Sequence, residues 1–471
     1  MPRLSAAGLP IFLRGSRIVG WTVRIKELLE IAKQSRQQLG RGAGVLVLKG
    51  LWAVLNYVSL VVIARALSDT DFGKFSFIIA FVTFVGIVSN LGIQNTTLRF
   101  VNEYKAKKEK DLELGAVQTS IRLSLRSAAI AVVICLLGLA GLTLAGILEM
   151  PLTMAIGLLL IPGFNLADTF ASIGRSYGAV FVALAPRDVI WRGLLIPAVI
   201  FSTSPLVDAD YQLEIFLLCA AALMWLALLW QGFATRRIYR QRLKEAAPDT
   251  DTPSWRRVAW PLWLAAVAAG GLRTIDVVVL GLVIEPALLG GYFAASRTAL
   301  LLSFVHNSIN VIVGPQITKA FYRKDEDRLR RVLFGSAALA FLPALGLMIV
   351  FAFFGREILA LFSPRFADAW PVLIILSAGQ LISTFCGSIG VVFNMTGYEK
   401  QSLRFLMQIA GPGLFLMIVA AYFVGPVGAA AAVAGWQSFR NIRMLVFARR
   451  EIGFDTSIFA LRFQPKTENR K

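Results

Sequence analysis

The stretch "ALSDTDFGKFSF", residues 66–77, joins two long apolar segments through a short acidic joint. Each flanking segment has about twenty or more apolar residues, enough to cross the hydrocarbon core of a bilayer as a helix. The 471 residues are 57% hydrophobic and 16% charged, whereas soluble domains carry about 25% charged residues. These features predict a polytopic membrane protein. They also predict that the joint is a tight hairpin in which Asp69 or Asp71 caps the second helix.

Apolar blocks of similar length recur along the chain, and their number decides the topology. We count twelve spans, an even number, so the two termini lie on the same side of the membrane. The three cysteines lie inside these blocks and are interpreted as apolar helix residues. The blocks are 44–67, 72–98, 116–146, 151–174, 188–203, 211–234, 258–283, 288–315, 332–354, 369–396, 402–424 and 427–448.

The formal net charge of +20 is distributed unevenly between the two sides. Lysines and arginines concentrate in the N-terminal tail, the even-numbered loops and the C-terminal tail, whereas the odd-numbered loops carry only Arg356 and Arg365. Because cytoplasmic loops attract Lys and Arg, both termini are predicted to be cytoplasmic. The basic clusters then face anionic membrane lipids. A nucleic-acid partner is excluded, since no folded soluble module carries them.

The sequence pattern indicates two copies of one design. A shift of 217 residues (290 minus 73) places Gly73 on Gly290 and Phe75 on Tyr292. The sequence therefore predicts an all-α polytopic membrane protein with about twelve transmembrane helices in two pseudo-symmetric six-helix lobes around a cavity. The predicted parts are a basic N-terminal segment (1–42), an N-terminal lobe (43–234), a linker (235–257), a C-terminal lobe (258–450) and a C-terminal tail (451–471). Residues 17–36 favour an amphipathic surface helix, with a flexible basic tail as the alternative.

Cations inside the spans are the candidates for substrate binding, because an ionisable residue in a bilayer normally faces a partner or a wet cavity. Arg273 and Arg297 lie near mid-depth, and Arg126 and Arg192 lie about a turn or more inside their spans. Asn56 falls opposite Arg273 at the same offset of 217 (273 minus 56). Guanidinium groups at these positions would suit a pyrophosphate or an acidic sugar.

Three further residues are candidates for ion coupling, each with a structural alternative. Asp276 is one turn from Arg273 and could form a local ion pair. His306, beside Asn307, could relay protons or simply pack. Asp168 could act in coupling or pair across helices. We predict no metal site, because the aspartates of "DTD" (69–71) and "DAD" (208–210) suit turns and caps.

With these motifs in view, the chain resembles the polysaccharide-type flippases of the multidrug/oligosaccharidyl-lipid/polysaccharide exporter superfamily, Wzx-type O-antigen and exopolysaccharide flippases above all. The resemblance rests on "ARALSDTDFGKFSF" (64–77), "NLGIQNTTLRFVNEY" (90–104), "RTIDVVVLG" (273–281) and "LLGGYFAASR" (288–297). It implies export of undecaprenyl-pyrophosphate-linked oligosaccharide across the bacterial inner membrane by alternating access. It also implies a proton or sodium gradient, or the membrane potential, as the driving force and a polysaccharide polymerase and co-polymerase as partners. No ATP or other cofactor is expected.

Three alternatives stay open. A lipid II exporter or a small-molecule exporter of the multidrug type would belong to the same superfamily, although two mid-depth arginines argue against cationic drugs. A membrane polymerase or ligase commonly needs a sizeable outer loop, whereas the largest in this chain, 355–369, has no zinc-binding His–Glu motif or serine-elbow motif. A purely structural membrane protein would leave the mid-depth arginines unexplained.

Overall fold

The computed structural model describes residues 50–146, 151–271 and 273–461. Contacts divide the chain into a small unit, 1–51, and a large unit, 52–471, which holds nearly all of the described residues. The described residues of the large unit form helices and connecting turns, without a strand. The amphipathic helix predicted at 17–36 and the tail from residue 462 onward lie outside the described residues.

Within the described ranges, helices follow all twelve predicted apolar blocks, which confirms the predicted fold class. Eight are long and apolar enough to cross a membrane by length and composition, within the described ranges. The first crossing is a shorter apolar helix, the fifth and seventh are broken by π-helical turns, and the twelfth has 22 residues. The eight are Asp69–Ser89, Lys110–Leu144, Leu152–Ser176, Ala209–Arg242, Pro286–Asn310, Glu326–Ala360, Pro364–Phe385 and Glu399–Val424.

The α-helical segments are numbered in chain order. Segments α1–α9 build the N-lobe and α10–α18 the C-lobe. Their bounds are α1 Gly50–Ala66, α2 Asp69–Ser89, α3 Ile93–Lys107, α4 Lys110–Leu144, α5 Pro151–Leu158, α6 Leu160–Ser176, α7 Val180–Ala185, α8 Arg192–Ser202, α9 Gln212–Arg242, α10 Thr252–Ala266, α11 Ile275–Leu280, α12 Pro286–Ala299, α13 Leu301–Tyr322, α14 Glu326–Ala360, α15 Trp370–Phe385, α16 Ile389–Met395, α17 Glu399–Val424 and α18 Pro426–Phe447.

The hairpin at 66–77 starts α2 with a cap different from the one predicted. The hydroxyl oxygen of Ser68 accepts from the backbone N–H of Asp71 at 3.1 Å, so Ser68 is the N-cap. Asp69 and Asp71 lie instead in the first turn, where their charges complement the helix dipole. The carboxylate of Asp71 accepts from the Ser68 hydroxyl at 2.7 Å, which closes the turn.

The two lobes meet where α2 of the N-lobe packs on α12 of the C-lobe, at the end of the molecule that holds Ser68 and Glu285. We call this the hairpin end. A Cβ added to Gly73 would lie 1.7 Å from the Pro286 carbonyl oxygen, so only glycine allows this approach. A Cβ added to Gly290, the counterpart of Gly73 by the sequence offset, would lie 3.2 Å from the Phe72 ring and 3.3 Å from the Asp69 carbonyl oxygen. The two glycines that the internal repeat relates therefore both lie at the contact between the lobes.

Polar contacts reinforce the hairpin end around this glycine pair. Arg65 of the N-lobe donates to the carbonyl oxygens of Leu361, at 2.6 Å, and Ala360, at 3.2 Å, at the end of α14. Arg365 forms an ion pair with Asp69 at 3.6 Å. These contacts join the first lobe to the second beside a cluster of buried aromatic rings, Phe72, Phe75, Phe293 and Phe366.

At the opposite end, which we call the basic end, the linker between the lobes is docked on the N-lobe. The backbone N–H of Asp249 donates to the carbonyl oxygen of Asp111 at 3.1 Å, and the Asp111 carboxylate accepts from the N–H of Ala247 at 2.8 Å. Further along, the indole of Trp255 donates to the Tyr104 hydroxyl at 2.7 Å. The linker therefore leads into α10 along a fixed path.

Candidate functional site

A cavity of about 430 Å³ lies within the C-lobe, and we call it the C-lobe pocket. Its lining comes from the segment around Arg273 and from helices α11, α12, α13, α15, α16, α17 and α18. The sequence predicted a cavity between the two lobes, whereas this one is lined by residues of the second lobe alone. Its position follows from the break in the seventh crossing, where a π-helical turn at Val267–Gly271 precedes Arg273 and the short helix α11.

Two arginines face the C-lobe pocket. Arg273 lies between the π-helical turn and α11, and Arg440 extends from α18. Their like charges act on each other. One arm of the Arg440 guanidinium donates to the Asn441 side-chain oxygen at 3.3 Å, and the Asn441 amide donates to Ser383 at 2.7 Å. Arg440 is thus oriented by α15 and α18 while its charge remains unpaired within the described residues.

Several buried polar atoms around the C-lobe pocket have no hydrogen-bond partner within the described part of the chain. A buried donor or acceptor without a partner costs about 1–3 kcal/mol. Such a cluster around one cavity therefore indicates a site built for a polar occupant. The atoms are Arg440 Nε, Trp436 Nε1, His306 Nδ1, Asn310 Oδ1 and Asp276 Oδ1.

Asp276 lines the C-lobe pocket and also interacts with Arg297 of the lobe boundary. Its side chain is buried, at 6% exposure, and Oδ2 accepts from the Tyr292 hydroxyl at 3.1 Å. Of the two mid-depth cations, Arg297 interacts electrostatically with Asp276. No ion pair joins Asp276 to Arg273 among the residues described. The local ion pair that was the structural alternative for Asp276 is therefore not formed in this conformation.

Arg297 and Arg192 approach each other across the lobe boundary. The Arg297 guanidinium lies over the Phe293 ring at 4.6 Å, and that of Arg192 lies over the Trp191 ring at 5.5 Å. Each arginine is half-buried, and their charges interact although they belong to different lobes. Two guanidinium groups that form no ion pair within the described residues therefore raise the electrostatic potential at the lobe boundary, although Asp276 partly offsets the charge of Arg297.

The N-lobe carries an ion-pair network of its own. Arg187 contacts the Asp168 carboxylate at 2.6 Å and the Asp188 carboxylate at 3.2 Å. Asp168 thus pairs across helices, which was one of its two interpretations. Asn56 is half-buried on α1 and Arg126 is exposed on α4, and neither lines the C-lobe pocket.

The structure divides the predicted site residues into groups. Arg273, Asp276 and His306 line the C-lobe pocket, while Arg192 and Arg297 interact across the lobe boundary. Sequence reasoning missed Arg440 and Arg187. Arg440 lies inside the last predicted span, so the rule that selected Arg273 would have selected it too. In the part of the chain that the structure describes, no cluster of three or more His, Cys, Asp or Glu side chains could hold a metal.

Known proteins share sequence features or the helical architecture with this chain. The model of a family described as "Polysaccharide biosynthesis protein" matches residues 39–321. No curated protein matches the chain at a significant level. The solved structures that resemble it include an inward-facing multidrug resistance MATE family transporter of the MOP superfamily, with a TM-score of 0.70 and 15% identity over 85% of this chain and 94% of that one.

Two other solved structures extend the comparison. The lipid II flippase MurJ, in an inward closed conformation, gives a TM-score of 0.65 with 16% identity over 86% of this chain and 87% of that one. A MOP superfamily transporter from Pyrococcus furiosus gives a TM-score of 0.57 with 15% identity over 88% of this chain and 93% of that one. At these identities the likeness establishes the fold of a membrane transporter.

Proposed function

The chain belongs to the family of polysaccharide biosynthesis proteins, and on that premise we propose that it is a flippase for a lipid-linked oligosaccharide repeat unit. The cargo would be carried by undecaprenyl pyrophosphate from the cytoplasmic to the outer leaflet of a bacterial inner membrane. Polymerisation into O-antigen or exopolysaccharide would follow outside, with the polymerase and co-polymerase as partners.

The observation that carries this proposal is a set of four arginines along the interior that form no ion pair within the described part of the chain. Arg192 and Arg297 meet at the lobe boundary, and Arg273 and Arg440 line the C-lobe pocket. Arg192, Arg297 and Arg440 are half-buried and Arg273 is exposed. A partly desolvated cation is costly unless a counter-charge compensates it, so an interior of this kind favours an anionic cargo. A cationic drug would be repelled. MurJ, which is titled a lipid II flippase, has a similar fold and supports a cargo anchored to a lipid.

The contacts at the hairpin end support transport by alternating access. Arg65, Arg365 and the Gly73–Pro286 approach close that end between the lobes. The positive-inside distribution predicts that the hairpin end faces outward and both termini face the cytoplasm. Contacts also join the lobes towards the basic end, where the Trp263 indole of α10 donates to the carbonyl oxygen of Val88 at 2.7 Å, so entry of cargo from the cytoplasmic side would require α10 to move. Opening of the hairpin end would require the contacts of that end to separate, driven by a proton or sodium ion acting through Asp276, His306 or Asp168, or by the membrane potential.

Deletion of the gene tests the flippase function directly. We expect lipid-linked repeat units to accumulate on the cytoplasmic leaflet, where a membrane-impermeant glycosidase or lectin added to intact spheroplasts cannot reach them. Inverted vesicles from the same cells should expose them. Accumulation of unpolymerised units that are already accessible from outside would refute the flippase and indicate a polymerase or ligase.

Substitution of the interior arginines tests the site. Arg297→Ala and Arg273→Ala should each lower surface polysaccharide at unchanged protein level, because each leaves less positive potential along the path of the cargo. Arg404→Ala is the matched control, since Arg404 is an exposed arginine on α17 that does not line the C-lobe pocket. Normal export by both interior variants would refute the assignment of these arginines.

A further inference from the structure

On the premise of this flippase function, we propose that the C-lobe pocket binds one acidic sugar of the repeat unit. Its carboxylate would lie between Arg273 and Arg440, and its hydroxyl groups would contact the amides of the wall. The pocket would thus recognise the glycan, while the pyrophosphate stays with the arginines of the lobe boundary. The size, charge and lining of the pocket each support this assignment.

The size of the C-lobe pocket limits what can enter it. Its volume of about 430 Å³ lies in the lower part of the range of about 300–1,000 Å³ that is typical of small-molecule sites. A whole repeat unit with its lipid does not fit such a volume, whereas one or two sugar rings do. The pocket is therefore matched to an end or a branch of the glycan.

The charge of the C-lobe pocket favours a carboxylate. Arg273 and Arg440 contribute two positive charges, and Asp276 on the same wall contributes one negative charge when ionised. The net charge of these three side chains is then +1 (2 minus 1), which neutralises the single negative charge of a sugar carboxylate. A pyrophosphate diester carries more than one negative charge and would remain undercompensated in the pocket. At the lobe boundary, Arg192 and Arg297 interact from two different lobes, and Asp276 acts on Arg297 there as well.

The lining provides the other contacts that a sugar needs. Carboxamides both donate and accept hydrogen bonds, as sugar hydroxyl groups do. The Trp436 ring adds an apolar face, and its indole N–H is one of the buried donors without a partner within the described part of the chain. The C-lobe pocket is lined by six carboxamide side chains, Asn307, Asn310, Gln380, Asn394, Gln437 and Asn441.

Calorimetry on the full-length protein in detergent tests the proposal with three probes. These are a disaccharide ending in glucuronic acid, the neutral disaccharide with the same linkage ending in glucose, and inorganic pyrophosphate. We expect the acidic disaccharide to bind at least tenfold more tightly than the neutral one. Arg440→Gln should remove this preference by weakening only the acidic disaccharide, and Arg404→Gln should leave all affinities unchanged.

Two further variants keep the test decisive if Arg440→Gln does not fold. Arg440→Lys retains the charge but loses the planar fork, so an intermediate affinity for the acidic disaccharide is expected. Asn307→Asp adds a negative charge to the wall without touching either arginine, and it should weaken the acidic disaccharide while sparing the neutral one. The melting temperature of each variant confirms that it is folded.

Several results would overturn the proposal. Equal binding of the two disaccharides would remove the role of the carboxylate. Tighter binding of pyrophosphate that Arg440→Gln weakens would make the C-lobe pocket a phosphate site. Absence of binding by folded wild-type protein would also reject it. None of these results would contradict the flippase function itself. That function is tested separately by the accumulation of repeat units in the deletion strain.

Discussion

Replacement of Gly73 by alanine should separate the two lobes at the hairpin end. A Cβ at this position would lie 1.7 Å from the carbonyl oxygen of Pro286, whereas ordinary contacts begin near 3.4 Å. The start of α12 must therefore withdraw by about 1.7 Å (3.4 minus 1.7). The obstacle is backbone rather than a flexible side chain, so a change of rotamer cannot relieve it.

The cost of this separation can be related to the equilibrium between the two states. Overpacking of a close contact costs about 1–3 kcal/mol. At about 1.4 kcal/mol per tenfold, the ratio of sealed to separated hairpin ends should fall roughly five- to a hundredfold. Gly73→Ala also stabilises helix α2 by about 1 kcal/mol, because alanine has the higher helix propensity. A control variant must include the same gain in helix propensity. Gly86→Ala on the same helix provides it, because its Cβ would first meet the Asn165 side-chain oxygen at 3.5 Å.

Distance measurements between two spin labels can follow the hairpin end. Labels on cysteines at Asp208 in the N-lobe and Leu361 in the C-lobe occupy exposed positions on opposite sides of the contact. The three native cysteines are replaced by alanine in every sample. Gly73→Ala should shift the distance distribution towards longer values, and Gly86→Ala should reproduce the parent. Identical distributions for the two variants would show that the glycine contact does not hold the lobes together.

Two further predictions concern the basic end. Gly115→Ala should release the linker and accelerate tryptic cleavage between the lobes, because its Cβ would lie 1.6 Å from the Asp249 carbonyl oxygen. Gly138→Ala, which meets no atom within 4 Å on the same helix, should cleave at the parent rate, and equal rates for both would contradict the docking. Burial and the carboxylate of Glu113 raise the pKa of Tyr177 above its ordinary value of 10.0. Its stabilising contribution is therefore present below about pH 10 and lost as the pH rises further, so Tyr177→Phe should flatten the fall in melting temperature above pH 10.

The magnitude of the Tyr177 effect follows from the hydrogen bond of its hydroxyl group, since phenylalanine keeps the ring. The hydroxyl donates to the Glu113 carboxylate at 2.7 Å, and Glu113 is fully buried. A hydrogen bond to a charged group contributes about 1.5–3 kcal/mol, so Tyr177→Phe should also lower stability at pH 8 by about this amount. A melting temperature of Tyr177→Phe that equals the wild-type value at pH 8 and falls equally steeply above pH 10 would contradict the role of this contact.

Hydropathy and charge were sufficient for the fold, because each crossing must satisfy its backbone internally and so leaves its own apolar block in the sequence. The offset of 217 residues (290 minus 73) also led to Gly73 and Gly290, two glycines that the structure brings to the lobe contact. The predicted N-cap was wrong because Ser68, Asp69 and Asp71 all favour the start of a helix. Only the path of the backbone decides which of them accepts the first N–H.

Only part of the C-lobe pocket could be predicted from the sequence. A mid-depth arginine such as Arg273 can be found by counting residues from the ends of its span. Its neighbours cannot, because the approach of Arg440 depends on how α11, α15 and α18 pack against one another. The pairing of Asp168 with Arg187 likewise depends on the turn between α6 and α7. The depth of a residue in the bilayer follows from its position within its own span. The partner of a charged side chain depends on how the helices pack in the tertiary structure.

The repeat itself explains why the pocket lies in one lobe. At the same offset, Asp276 corresponds to Ser59, Tyr292 to Phe75 and Arg297 to Ala80. At each of these three positions the ionisable side chain of the second lobe thus has a smaller or less polar equivalent in the first, and these three equivalents are buried. The duplicated scaffold retains its glycine contact in both halves, because both halves need the close approach. At these three positions the ionisable side chains belong to the second half, so binding can differ between lobes that share one fold.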